Sequence, residues 1–171
     1  AAARATFDWA QARQRLDGLP DGRLNIAHEA VDRHVKAGYG DQIALRWISK
    51  SGALTDYTYR DLQDQTNRFA NVLRTSGIGR GDKVYALLGR VPELYIAALG
   101  TLKAGAVFCP LFSAFGPDPI RSRMEIGGAH AVVTSRRLYN RKLKAQRQSL
   151  PELRQVFLTD GKTENTCDLA K

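Results

Sequence analysis

The chain has 171 residues, 43% of them hydrophobic, with 26 Lys and Arg against 17 Asp and Glu and a net charge of +9. That length fits one domain, or one domain with an appendage, and the apolar share excludes disorder for the bulk of the chain. Cys109 and Cys167 stand far apart, which excludes a disulfide framework and a cysteine-based zinc site.

Residues 1–22 read as a lead-in, with Phe7, Trp9 and Leu16 as anchors to a core and LPDG at Leu19–Gly22 as a turn. Asn25 can cap a helix running to Lys36, burying Ile26, Ala30, Val31 and Val35, or else Ala27 and His34. Ile43–Ile48 (IALRWI) and residues 54–59 (LTDYTY) are strand-like around SKSGA, which predicts an antiparallel hairpin. Thr58 then opens a helix, with Asp61 three residues on as in a capping box. Leu62, Thr66, Phe69, Ala70 and Leu73 form its inward stripe.

GIGRGD at residues 77–82 breaks that helix, and Lys83–Leu88 (KVYALL) is the next strand. Pro92–Lys103 is a helix apolar nearly all round, with Pro92 in the first turn and Lys103 in the last. Leu99, at its middle, is expected beneath the sheet. Residues 106–111 form a strand closed by Pro110. Pro119 starts a helix with Ile120 and Met124 inward, stopped by Gly127 and Gly128. Residues 129–134 and Gln155–Leu158 are further strands, separated by a basic helical stretch, and residues 160–171 are polar and expected to fray. Strand and helix alternate from Lys83 to Leu158, so the expected fold is α/β: a mostly parallel sheet with crossover helices, plus the N-terminal hairpin. The expected division is a lead-in at 1–22, an α/β subdomain at 23–160 and a polar tail at 161–171.

Local chemistry is sparse. The glycines at 77, 79 and 81 follow a helix and precede a strand, the reverse of a dinucleotide-binding turn, so they read as a helix stop. His28, His34 and His130 lack metal-ligand spacing. RRLYNRKLKAQR at Arg136 to Arg147 carries six basic residues and no acid. It reads as a solvated helix face or as a contact for an anionic ligand. No recognition motif or aromatic platform points to nucleic acid. No apolar run is long enough to span a membrane and no signal-peptide core opens the chain. The cytoplasm is the expected compartment, though the acid-poor start also suits a trimmed transit peptide.

Several blocks resemble the adenylate-forming enzymes. LNIAHEAVDRH at Leu24–His34 is similar to the opening of acetate–CoA ligases. TYRDL at Thr58–Leu62 is similar to their TYxEL block. RGDKVYALLGRVPELYIAALGTLKAGAVFCPLFSAFGP at Arg80–Pro117 is similar to the block ending LKAGxxxxPL, and PIRSRMEIGGAHAVVTS continues the likeness to Ser135. The resemblance implies the first part of the larger N-terminal domain of an acetyl-CoA synthetase. It implies ATP, Mg2+ and CoA as cofactors and substrates of the parent enzyme. Relatives using propionyl, medium-chain or aromatic acyl groups are alternatives, as is a stand-alone basic binding module. The family's Ser/Thr/Gly-rich phosphate loop, its YGxTE-like block, its ribose-binding Asp and its mobile-domain Lys are not found in these 171 residues. The chain alone is therefore expected to be inactive, to hold no catalytic residue, and to self-associate or pair with the rest of its enzyme. From the resemblance, the nucleotide end of CoA would meet the FSAFG loop at Phe112–Gly116 and the basic segment after Ser135. Arg141, Arg137 and Ser113 are its candidate contacts.

Overall fold

A computed structural model describes residues 7–161 and 166–168. Residues 1–6 of the lead-in, and 162–165 and 169–171 of the polar tail, lie outside these. The elements are α1 (Trp9–Gln14), α2 (residues 26–39), β1 (Ile43–Ile48), β2 (Leu54–Thr58), α3 (Tyr59–Thr75), β3 (Lys83–Leu88), α4 (Pro92–Lys103), β4 (Val107–Phe112), α5 (Pro117–Ile126), β5 (Ala131–Thr134), α6 (residues 136–149), β6 (Gln155–Leu158) and β7 (Cys167–Asp168). Among the described residues, no helix is long and apolar enough to cross a membrane.

The main sheet has five parallel strands in the order β4-β3-β5-β6-β7. Side chains alternate across it with the period of two that a pleated strand imposes. Val84 and Leu88 of β3 face α3 and α4, together with Val133 and Phe157. Tyr85 and Leu87 face α5 and α6, with Ile120, Met124 and Leu143. Both faces are therefore covered, as a parallel sheet requires. The hairpin β1–β2 is antiparallel and forms its own small sheet. Trp47 Nε1 donates to the Arg90 carbonyl at 3.0 Å, which fastens the hairpin to the loop after β3.

Much of the local reading holds. Thr58 and Asp61 form a capping box, with Asp61 N–H donating to Thr58 Oγ1 at 3.1 Å and Thr58 N–H to Asp61 Oδ2 at 2.9 Å. Leu62, Thr66, Phe69, Ala70 and Leu73 are the buried residues of α3.

Other expectations need correction. Pro110 lies inside β4 rather than closing it; β4 is an edge strand, where a missing N–H need not break the ladder. Helix α5 begins at Pro117, not Pro119. On α2, Ala27 and Val31 are buried while Ile26 is 65% exposed, because Asn25 sets the phase of the first turn by accepting from Ala27 N–H and His28 N–H. Leu99 is half-buried; Ala97, Gly100 and Thr101 are the buried residues along that stretch of α4. A Cβ on Gly100 would lie 2.8 Å from Phe69 Cδ1, so α4 and α3 meet along small residues rather than through Leu99. Phe7, Trp9 and Leu16 do not anchor the lead-in, being 57%, 80% and 40% exposed. Polar bonds do so instead: Glu29 on α2 accepts from Gly18 N–H at 2.7 Å and Asp17 N–H at 3.2 Å, and Asp17 pairs with His28. Finally, β7 extends the sheet past Leu158, with Cys167 and Asp168 beside Phe157 and Leu158.

Candidate functional site

In an open parallel sheet, ligands sit at the carboxyl ends of the strands where strand order reverses. Here β3 lies between β4 and β5, and the chain runs from β3 to β4 before crossing back to β5. The reversal falls between β3 and β5, bounded by the loops after β3, β4 and β5. Thr134 Oγ1 donates to the Leu87 carbonyl at 2.8 Å and ties the ends of β5 and β3 together.

Helix α6 leaves this edge at Ser135, whose Oγ accepts from Leu138 N–H at 3.3 Å. Asp160, at the end of β6, accepts from Arg136 N–H at 2.6 Å. The first turn of α6 is thus already served by a hydroxyl and a carboxylate, the groups that suit a helix N-terminus. An incoming anion would meet the side chains further along instead. Arg137 and Arg141 are both exposed there, one helical turn apart, and neither has a hydrogen-bond or ion-pair partner among the described residues.

The 112–116 loop closes β4 and leads into α5. Phe115 N–H donates to the Phe112 carbonyl at 3.1 Å, forming a tight turn. The Phe112 and Phe115 rings meet edge-on at 5.4 Å, and Arg123 lies over the Phe115 ring at 4.3 Å. Phe112 is 64% exposed. Ser113 is half-buried; its carbonyl is engaged, and its hydroxyl makes no hydrogen bond among the described residues.

Loop and helix are joined by a residue that sequence reading passed over. Lys142 Nζ donates to the carbonyls of Ser113 and Phe115, each at 2.6 Å. Its position held the signal: Leu138, Tyr139 and Leu143 are the buried residues of this helix, and Lys142 is a cation set among them. Lys142 pairs with no carboxylate among the described residues, so Arg137, Arg141 and Lys142 leave this face positive. The structure thus brings Ser113 and α6 together through Lys142 and leaves Arg137 and Arg141 on the open face.

The amino edge of the sheet is differently built. Asp82 Oδ2 accepts from Gly79 N–H at 2.8 Å and its Oδ1 from Arg154 at 2.5 Å, with His130 Nδ1 at 3.1 Å. Burial works to raise the Asp82 carboxyl, but the Gly79 N–H and the Arg154 guanidinium outweigh it and hold the group below its ordinary value. These contacts link the starts of β3, β5 and β6, and every member is engaged within the fold. The glycines at 77, 79 and 81 belong to this edge as a helix stop, Gly77 and Gly81 taking positive φ. His28 pairs with Asp17 and His34 stacks on Tyr59 at 4.8 Å. Burial raises the Cys109 thiol, beside Tyr85 in the neighbouring strand.

Comparison with known proteins agrees with this architecture. Residues 31–170 match the family described as AMP-binding enzyme. The acetyl-coenzyme A synthetase of Bacillus subtilis is 36% identical over 160 residues, covering 93% of this chain and 27% of that protein. The acetyl-coenzyme A synthetase of Streptomyces avermitilis is 35% identical over 136 residues, covering 80% of this chain and 21% of that protein. The crystal structure of a Brucella canis acyl-CoA synthetase superposes with a TM-score of 0.84 at 35% identity, covering 99% of this chain and 30% of that one. The chain therefore spans about a quarter of the length of the curated relatives it matches. With most of its length matched by that family and its fold shared with a solved acyl-CoA synthetase, the chain belongs to the AMP-binding enzymes.

Proposed function

We propose that this chain is the N-terminal portion of an ATP-dependent acetate–CoA ligase and that its carboxyl-edge face receives the nucleotide end of CoA. What supports the reading is the junction of the 112–116 loop with α6, whose Arg137 and Arg141 are exposed and without a side-chain partner among the described residues, in a chain of this family. In the proposed reaction, an acetate oxygen attacks the α-phosphorus of ATP and pyrophosphate leaves, giving acetyl-AMP. The CoA thiol then attacks the acyl carbon and AMP leaves. Mg2+ would offset phosphate charge in the first step. No residue of this chain is assigned to hold it or to act on the acyl group.

The role of this chain is scaffolding and CoA binding. The 3′-phosphate and diphosphate of CoA need cationic donors, and a guanidinium offers a planar fork matched to phosphate oxygens. Arg141 and Arg137 would supply that fork, and the Ser113 hydroxyl a further donor. Residues 23–160 would form the α/β subdomain, with 1–22 as a lead-in and 161–171 as a polar tail.

The test is product analysis on the complete enzyme with acetate, ATP and CoA. Acetyl-CoA, AMP and pyrophosphate in equal amounts are expected. ADP in place of AMP would overturn the reaction class. A clear preference for propionate, a medium-chain or an aromatic acid would replace acetate and keep the class.

A further inference from the structure

We infer that Lys142 is a positioning residue that holds the 112–116 loop against α6, fixing the loop backbone beside Arg137 and Arg141; the inference rests on the CoA reading above. Phe112 ends β4 in register with Leu88 of β3, and beyond it the backbone hydrogen bonds among the described residues are local: Phe115 N–H to the Phe112 carbonyl, and Ile120 N–H to the Gly116 carbonyl at 3.3 Å. On the α5 side the loop is held by Phe115, which packs at the rim of the core beneath Arg123. On the α6 side its hydrogen-bonded tie is the Lys142 ammonium, with two bonds of 2.6 Å.

The chemistry suits a clamp. An ammonium carries three donors, of which two converge here on carbonyl oxygens of the same loop. Hydrogen bonds from a charged donor are stronger than neutral ones, and a half-buried setting weakens the competition from water. No carboxylate among the described residues neutralises the charge, so the clamp adds to the positive potential beside Arg141 instead of cancelling it. Arg141 and Lys142 are neighbours in sequence with divided tasks: one faces solvent and the other faces the loop.

The experiment uses the complete enzyme in three variants. Lys142→Met keeps the length of the stem and removes the charge; Lys142→Arg keeps the charge; Arg141→Ala probes the face itself. Amide hydrogen exchange of peptides covering 112–116 reports the clamp, and the KM for CoA reports its consequence. Pyrophosphate exchange, which proceeds without CoA, is the internal reference. Lys142→Met is expected to speed exchange in the loop and raise the CoA KM by about tenfold relative to that reference, and Lys142→Arg to restore most of both. If Lys142→Met does not fold, Lys142→Gln, which removes the charge, shortens the side chain by one atom and keeps a polar end, is expected to change both readouts by at least about threefold. Unchanged loop exchange in the neutral variants overturns the clamp. A raised CoA KM in Arg141→Ala beside an unchanged one in Lys142→Met overturns the role of Lys142 and leaves the CoA reading standing. An unchanged CoA KM in both overturns this inference, and the CoA reading falls with it when Arg137→Ala leaves the CoA KM unchanged as well.

Discussion

Asn25 and Leu102, 77 residues apart, are joined by a hydrogen bond of 2.8 Å from the Asn25 side-chain amide to the Leu102 carbonyl. The same side chain accepts from Ala27 N–H at 2.9 Å through its Oδ1. One residue thus caps the start of α2 and serves a carbonyl at the end of α4. Lys103, next along, donates to Asp32 at 2.8 Å and to Asn67 at 2.9 Å, tying α4 to α2 and α3.

Asn25→Ala removes both roles and is expected to cost about 1.5–3 kcal/mol, combining a lost cap with a lost hydrogen bond. Asn25→Ser keeps a capping oxygen and gives up the reach to Leu102, so its cost should be smaller, about 1 kcal/mol. Urea unfolding of the two variants separates the roles. Equal losses would mean that the cap contributes nothing, and no loss in Asn25→Ser would mean that the bond to Leu102 contributes nothing.

Thr101 is fully buried, and its hydroxyl has no hydrogen-bond partner among the described residues. Val has nearly the same shape and a similar helix propensity. Thr101→Val should therefore stabilise the protein by about 1 kcal/mol, since it removes a buried polar atom that nothing satisfies. A lower melting temperature would show that the hydroxyl has a partner in solution.

Gly100→Ala should act the other way. Ala is favoured over Gly within a helix by about 1 kcal/mol. Against that, the new methyl would sit 2.8 Å from Phe69 Cδ1 and 3.1 Å from the Thr66 carbonyl. Overpacking of this kind costs about 1–3 kcal/mol, so a net loss is expected. A gain in stability would mean that α3 and α4 can part without penalty.

The Asp82 carboxyl is held below its ordinary value, so its contribution to stability is present above the unfolded carboxylate value near 4 and is lost as pH falls through the lower folded one. Asp82→Asn should destabilise the protein at neutral pH, and the difference from wild type should shrink as pH falls below about 4. Melting temperatures measured from pH 7 to pH 3 check this. A difference that is constant with pH would remove the charge from the explanation.

What could be read from sequence was what repeats locally. The stripe of α3 shows because five inward residues keep helical spacing, and the Thr58–Asp61 cap shows because both partners lie within one turn. In the Lys83–Leu88 strand, residues 84–88 read as a continuous apolar run because both of its faces are covered. The misses depend on distant partners. Leu99 looked central in an apolar helix, but Gly100 lets α3 approach and gives the contact to small residues. The lead-in looked anchored by Phe7 and Trp9, yet Glu29 holds it through backbone N–H groups that carry no sequence signature. At the candidate site, Arg137, Arg141 and Ser113 came from resemblance. Lys142 showed only as a cation set among inward residues, because its two acceptors are backbone carbonyls 27 and 29 residues away.

Removing the charges of α6 tests the central claim most directly. With the complete enzyme, the KM for CoA is measured for Arg137→Ala and Arg141→Ala, with acetate-dependent pyrophosphate exchange as the reference for the step that needs no CoA. Loss of a charge-assisted phosphate contact is worth about 1.5–3 kcal/mol, so a rise in CoA KM of roughly 10- to 150-fold is expected for at least one variant. A CoA KM unchanged in both would contradict the placement of CoA at this face.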